Sequence, residues 1–89
     1  MIKEEVTIIN KLGLHARAAS KFVNVASGYV SQIQISFNNK TIDGKSIMAV
    51  MMLAAGKGSV LKLNIEGEDE QKACKAICKL IDNCFDEEE

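Results

Sequence analysis

A chain of 89 residues with 47% hydrophobic content has room for one domain, because independent cores of this kind take about 100 to 150 residues, and that apolar share excludes disorder. With 11 Lys and Arg against 12 Asp and Glu the net charge is −1, and aromatics are only 4%, so the cations a phosphate backbone demands and the rings bases stack on are both scarce. Nucleic-acid binding is disfavoured; no window reaches the about 20 apolar residues of a membrane span, and the charged residues 1–10 lack a secretion signal's apolar run, so a cytoplasmic protein is expected.

Ile2, Glu4, Val6 and Ile8 share one face of an extended segment, with Lys3, Glu5 and Thr7 on the other, the alternation of a half-buried strand. Residues 10–14 contain Gly13 and have no periodicity. Residues 16–27 then place Ala19, Phe22, Val23 and Ala26 at the spacing of an amphipathic helix, with Gly28 positioned for a left-handed C-terminal cap. Residues 30–37 alternate again, Ile33, Ile35 and Phe37 against Gln32, Gln34 and Ser36. Asn38 and Asn39 tolerate positive φ, which predicts a hairpin back through residues 40–43. Ser46 stands where an N-cap hydroxyl belongs, before a short helix over 47–55 closed by Gly56.

A fourth strand is predicted over 60–66, where Leu61, Leu63 and Ile65 oppose Lys62, Asn64 and Glu66. From about Asp69, the residues Ala73, Ile77, Leu80, Ile81 and Cys84 form one apolar stripe and mark the longest helix. The acidic tail 86–89 is expected to fray into solvent, because the negative end of the helix dipole disfavours anions. One-sided strands and one-striped helices bury together only if the helices cover one face of the sheet. The expected fold is a single-domain α+β, open-faced two-layer sandwich: a four-stranded sheet covered by three helices, its polar face toward water.

His15 is the only histidine, at the junction where the irregular segment enters the first helix. There the N–H groups of Ala16, Arg17 and Ala18 lack intrahelical acceptors and form an anion site, and the helix dipole favours a neutral, nucleophilic imidazole. Arg17 adds a guanidinium fork that matches phosphoryl oxygens and is electrostatically misplaced without an anion beside it. A phosphoryl group suits both residues, since its loose transition state spreads charge over the equatorial oxygens. No metal or other cofactor is required. Cys74 and Cys78 are one turn apart, a spacing compatible with metal ligation, but with the histidine engaged elsewhere no four-ligand set remains. They and Cys84 read as core thiols, reduced, with no structural disulfide.

Gly13-Leu14-His15-Ala16-Arg17 followed by Gly44-Lys45-Ser46-Ile47-Met48 resembles the HPr phosphocarrier family of the phosphoenolpyruvate-dependent sugar phosphotransferase system, and the likeness runs from Val6 to about Leu80. The resemblance implies a sheet order of 1-4-2-3 and a phosphocarrier, more a substrate of enzymes than an enzyme. It implies that enzyme I phosphorylates His15 at Nδ1, that Arg17 steadies the phosphoryl group, and that the carrier delivers it to an enzyme IIA domain. It also implies regulatory phosphorylation of Ser46 by an HPr kinase/phosphorylase.

Ala18 stands where the family commonly has Pro, and Leu12 where it often has a small polar residue, which leaves backbone groups to position the histidine. The helix from Ile47 carries more apolar residues than a core stripe needs if Val50 and Leu53 point inward. Core packing is the expectation for Met52, and the resemblance assigns Ile47, Met48 and Met51 to partner docking, a use for which adaptable methionines are suited. A monomer is expected. The alternatives are a nitrogen-regulatory paralogue with the same site and different partners, and a docking-only regulatory module, against which the presence of His15 argues.

Overall fold

The computed structural model describes residues 1–86; Glu87, Glu88 and Glu89, most of the acidic tail expected to fray, lie outside the described residues. Strand β1 (Ile2–Thr7) is followed by α1 (Ala16–Ser27), β2 (Gln32–Phe37), β3 (Lys40–Asp43), α2 (Ile47–Met52), β4 (Val60–Glu66) and α3 (Glu70–Asp82), and the chain then turns through Cys84–Asp86. The four strands form one antiparallel sheet in the order β1-β4-β2-β3, as the family resemblance implies.

The register explains why β4 is central. Ile65 pairs with Ile2 on one side and Ile33 on the other, Leu63 lies opposite Ile35 of β2, and Leu61 lies opposite Val6 of β1, so every inward residue of β4 meets an apolar partner across at least one ladder. Leu61, Leu63 and Ile65 are fully buried, while Lys62 and Glu66 face water. Over this face lie Ala18, Ala19, Phe22 and Ala26 of α1, Val50 of α2, and Ala73, Ile77, Leu80 and Ile81 of α3. The β2–β3 hairpin turns on Asn38 and Asn39, both in the left-handed region at φ 52° and 64°, the conformation expected of that pair. Gly44 is required for a different reason: a Cβ there would lie 2.8 Å from Ile33 Cγ2, where its N–H reaches the Ile33 carbonyl at 2.8 Å.

Several boundaries differ from expectation, two of them, in β2 and α2, beside hydrogen bonds to distant segments. Gly28 is right-handed at φ −76°, since α1 ends in a tightened turn in which the N–H groups of Gly28 and Tyr29 bond to the carbonyls of Val25 and Ala26. Strand β2 begins at Gln32 instead of Val30, because the N–H groups of Val30 and Ser31 are held at 3.0 Å by the Asp69 carboxylate. That engagement also removes Asp69 from capping α3, where it has the N-cap position without a cap bond. Helix α2 stops at Met52, short of the predicted residue 55, because Ala54 turns left-handed at φ 52° and delivers the Ala55 carbonyl to the Leu14 N–H at 2.8 Å. Cys84 lies past the end of α3 in a left-handed turn, and Phe85 fills the core position instead. Cys74 and Cys78 are half-buried at the margin of the core.

Candidate functional site

The loop between β1 and α1 is built from bonds on both its flanks. Ile8, fully buried, extends the pairing of β1: its N–H donates to the Ser59 carbonyl at 2.9 Å and its carbonyl accepts from Gly58 N–H at 2.7 Å. Asn10, 1% exposed, holds both peptide groups of Gly13, its carbonyl accepting the Gly13 N–H at 3.2 Å and its Nδ2 donating to the Gly13 carbonyl at 2.8 Å. The peptide between Gly13 and Leu14 is thereby tied at its oxygen to Asn10 and at its nitrogen to Ala55. Gly13 is obligatory here: φ is +68°, and a Cβ would lie 2.5 Å from the Ala55 oxygen. Leu14, buried beneath the loop, completes the anchor.

These constraints deliver His15 to the N-cap of α1 with extended backbone (φ −72°, ψ 178°), its carbonyl accepting the Ala19 N–H at 2.8 Å. Its Nδ1 accepts the Arg17 N–H at 3.3 Å, so the imidazole itself serves as the capping group. A ring nitrogen that accepts an N–H carries a lone pair, and in the neutral ring the proton then sits on Nε2. Of the three N–H groups predicted to await an anion, that of Arg17 is thus engaged by the histidine. A backbone group, the Arg17 N–H, thus takes part in positioning the ring. Arg17 and Ala16 are solvent-exposed and Ala18 is buried with the core.

Ser46 caps α2, its Oγ accepting the Ala49 N–H at 3.4 Å, and the preceding turn is fixed by Asp43, whose carboxylate and carbonyl accept the N–H groups of Lys45 and Ser46. Lys45 Nζ donates to the Tyr29 carbonyl at 2.7 Å, tying this corner to the end of α1. Val50 and Leu53 point inward as expected, and Ile47, Met48 and Met51 are exposed. Met52 corrects the expectation: at 73% exposed it is no core residue, because it lies one turn beyond the exposed Met48 on the outward face of α2, while Val50 and Leu53 take the inward face. Leu12, at 67%, adds a further exposed apolar side chain on the loop that abuts the end of α2.

The sequence reading missed Asn10 and Asp69. An Asn three residues before a Gly in a loop was the available signal for the first; nothing local signals the second, whose partners are 38 and 39 residues away. A hollow of about 550 Å³ between Asn24, Tyr29, Lys79 and Asn83 lies apart from His15 and Arg17. Among the described residues no group of three or more His, Cys, Asp and Glu could hold a metal ion, and no helix is long and apolar enough to cross a membrane.

The family model for the PTS HPr component phosphorylation site matches residues 2–83. The chain belongs to the HPr family. It is 62% identical over 86 residues to the phosphocarrier protein HPr of Pseudomonas aeruginosa, covering 96% of each chain, and 53% identical to that of Cupriavidus necator over the whole of both. A crystal structure of HPr from Thermoanaerobacter tengcongensis superposes with a TM-score of 0.95 at 46% identity, covering both chains completely. An HPr dimer from the same organism superposes at 0.78. As an HPr, the chain is a phosphocarrier of the phosphotransferase system.

Proposed function

We propose that this HPr carries its phosphoryl group on Nδ1 of His15, receiving it from phosphorylated enzyme I and giving it to an enzyme IIA domain. The observation that carries the reading is the Arg17 N–H directed at Nδ1, which leaves the lone pair on that nitrogen and orients it at the head of α1. The lone pair attacks phosphorus, the bond from phosphorus to the donor breaks with its electron pair returning to the donor, and no metal is involved. At 3.3 Å and exposed to solvent, the N–H···Nδ1 bond is weak and readily given up. As the lone pair becomes a P–N bond, the released Arg17 N–H, with those of Ala16 and Ala18, turns to the phosphoryl oxygens. The Arg17 guanidinium then neutralises the charge spread over them.

Docking of both partners falls to the face formed by Ile47, Met48 and Met51, to which the exposure of Met52 and Leu12 adds. Ser46 is the regulatory site for an HPr kinase/phosphorylase: a phosphate there adds about −1.5 to −2 charges at a position α2 tolerates, while turning the docking face anionic. In this reading the carrier works as a cytoplasmic monomer. The test is intact mass after incubation with phosphoenolpyruvate and enzyme I, for the native chain and for His15→Ala. One phosphoryl adduct, lost on mild acid treatment and missing from the variant, is the expected result; an adduct retained by His15→Ala overturns the assignment.

A further inference from the structure

Helix α3 carries two thiols that phosphoryl transfer does not use. Cys74 and Cys78 lie one turn apart on its half-buried flank with their sulfurs 3.9 Å apart in an S–H···S contact. The third cysteine, Cys84, lies beyond the end of the helix in the left-handed turn.

Geometry decides what such a pair can accept. A disulfide needs sulfurs about 2.05 Å apart on β-carbons about 3.5–4.5 Å apart. On a regular helix the β-carbons of residues one turn apart are about 5–6 Å from each other. Closing that bond would distort α3 in its middle, where the fully buried Ala73 and Ile77 lock it into the core. Burial, then the neighbouring Cys74, and then the carboxylates of Glu4 and Asp82 also push the Cys78 thiol up to about 12, so the thiolate that attacks a peroxide or disulfide is scarce.

Neither obstacle meets a single atom that bonds to both sulfurs. Two bonds of about 2.3 Å, a typical metal–thiolate length, span about 3.3–3.8 Å for angles between a right angle and the tetrahedral one, so sulfurs 3.9 Å apart need far less approach than a disulfide demands. With no third ligand of the His, Cys, Asp or Glu kind grouped there among the described residues, the occupant must be satisfied by two protein sulfurs. Trivalent arsenic bearing one carbon substituent meets that condition.

We propose that Cys74 and Cys78 form a binding site for monosubstituted trivalent arsenicals, bridged sulfur to sulfur across one turn of α3. The reaction takes an arsenoxide and two neutral thiols: both S–H bonds and the As=O bond break, two As–S bonds form, and the oxygen leaves as water carrying both protons. Nothing is oxidised or reduced. The thiol form of Cys78 is the form consumed.

Phenylarsine oxide is the probe, read by intact mass on the folded chain in the presence of excess glutathione, a monothiol. The expected result is one phenylarsine unit added with loss of water, absent from Cys74→Ala and Cys78→Ala, retained by Cys84→Ala, and removed by dithiothreitol. Cys78→Ser serves as the second variant should the alanine change disturb folding, which circular dichroism checks. An adduct that survives in Cys78→Ala or Cys78→Ser, or one that disappears in Cys84→Ala, overturns the site. So does rapid loss of two hydrogens from the pair on treatment with glutathione disulfide, which would show that α3 closes a disulfide after all. The outcome is independent of which residue carries the phosphoryl group.

Discussion

Asn10 puts an amide where an apolar residue would be expected. It is 1% exposed, its Nδ2 donates to the Gly13 carbonyl, and its Oδ1 finds no hydrogen-bond donor among the described residues. A buried orphan oxygen costs stability, so the residue is explained by what its other end does, which is to set the peptide plane two bonds ahead of His15. Asn10→Ala leaves the Gly13 carbonyl unpaired while removing the orphan, and the two effects oppose each other. The net expectation is a loss of about 1–2 kcal/mol in urea unfolding with an unchanged m-value. Phosphoryl acceptance from enzyme I should slow in the same variant, because the loop no longer fixes the approach of Nδ1.

At the scale of elements, the joins between α3 and β2 and between α2 and the His15 loop carry the argument. Asp69 accepts three donors, the N–H groups of Val30 and Ser31 and the hydroxyl of Ser31. The hydroxyl first, and then the Val30 N–H, hold its carboxyl below the ordinary value of 3.8. Glu70, paired with the N-terminal amine at 3.1 Å and with the Gly67 N–H, is held below 4.5 for the same kind of reason. A carboxyl lowered on folding contributes stability that is present above its unfolded value and is lost as pH falls through its folded one. Stability of the native chain should therefore decline from about pH 4.5 downward, and Asp69→Asn should be less stable at neutral pH and show a shallower acid decline, the residual slope belonging to Glu70. Urea midpoints across that range are the measurement. Ala54, the left-handed end of α2, holds a conformation that costs an L-residue about 1 kcal/mol or more. Ala54→Gly should raise stability by roughly 0.5–1 kcal/mol if relief of that strain exceeds the added unfolded-state entropy of glycine, and thermal unfolding reads the sign.

The whole molecule is closed by its C-terminal turn. Phe85 is fully buried beside the core of α1 and α3, although its own backbone is left-handed at φ 56°. Lys21 of α1 donates to its carbonyl at 2.7 Å, and Asn83 Nδ2 bonds to the Asp86 carboxylate at 2.8 Å. In a domain this small one aromatic is a large share of the core, so Phe85→Ala should cost about 3–5 kcal/mol. Calorimetry should register this as a single lowered transition, about 4–8 °C for each kcal/mol. A separate early transition confined to α3 would show instead that the C-terminal segment unfolds on its own.

Strand alternation, helix stripes, the Asn38–Asn39 turn and the serine cap of α2 were all legible in the sequence, because each depends on neighbours within a turn or a pleat. So was His15 at the head of α1, and with it the HPr family, since a short motif in a fixed place needs no fold to be read. Where elements stop was decided by tertiary structure. Asp69 takes the N–H groups that would have lengthened β2, and Leu14 takes the carbonyl that would have lengthened α2. Phe85 is buried as a result of the left-handed turn at Cys84–Asp86, which no periodicity marks. Local pattern specifies which face of an element is apolar; for β2 and α2, hydrogen bonds between distant segments decide where the element starts or ends, because their partners are brought together by folding itself.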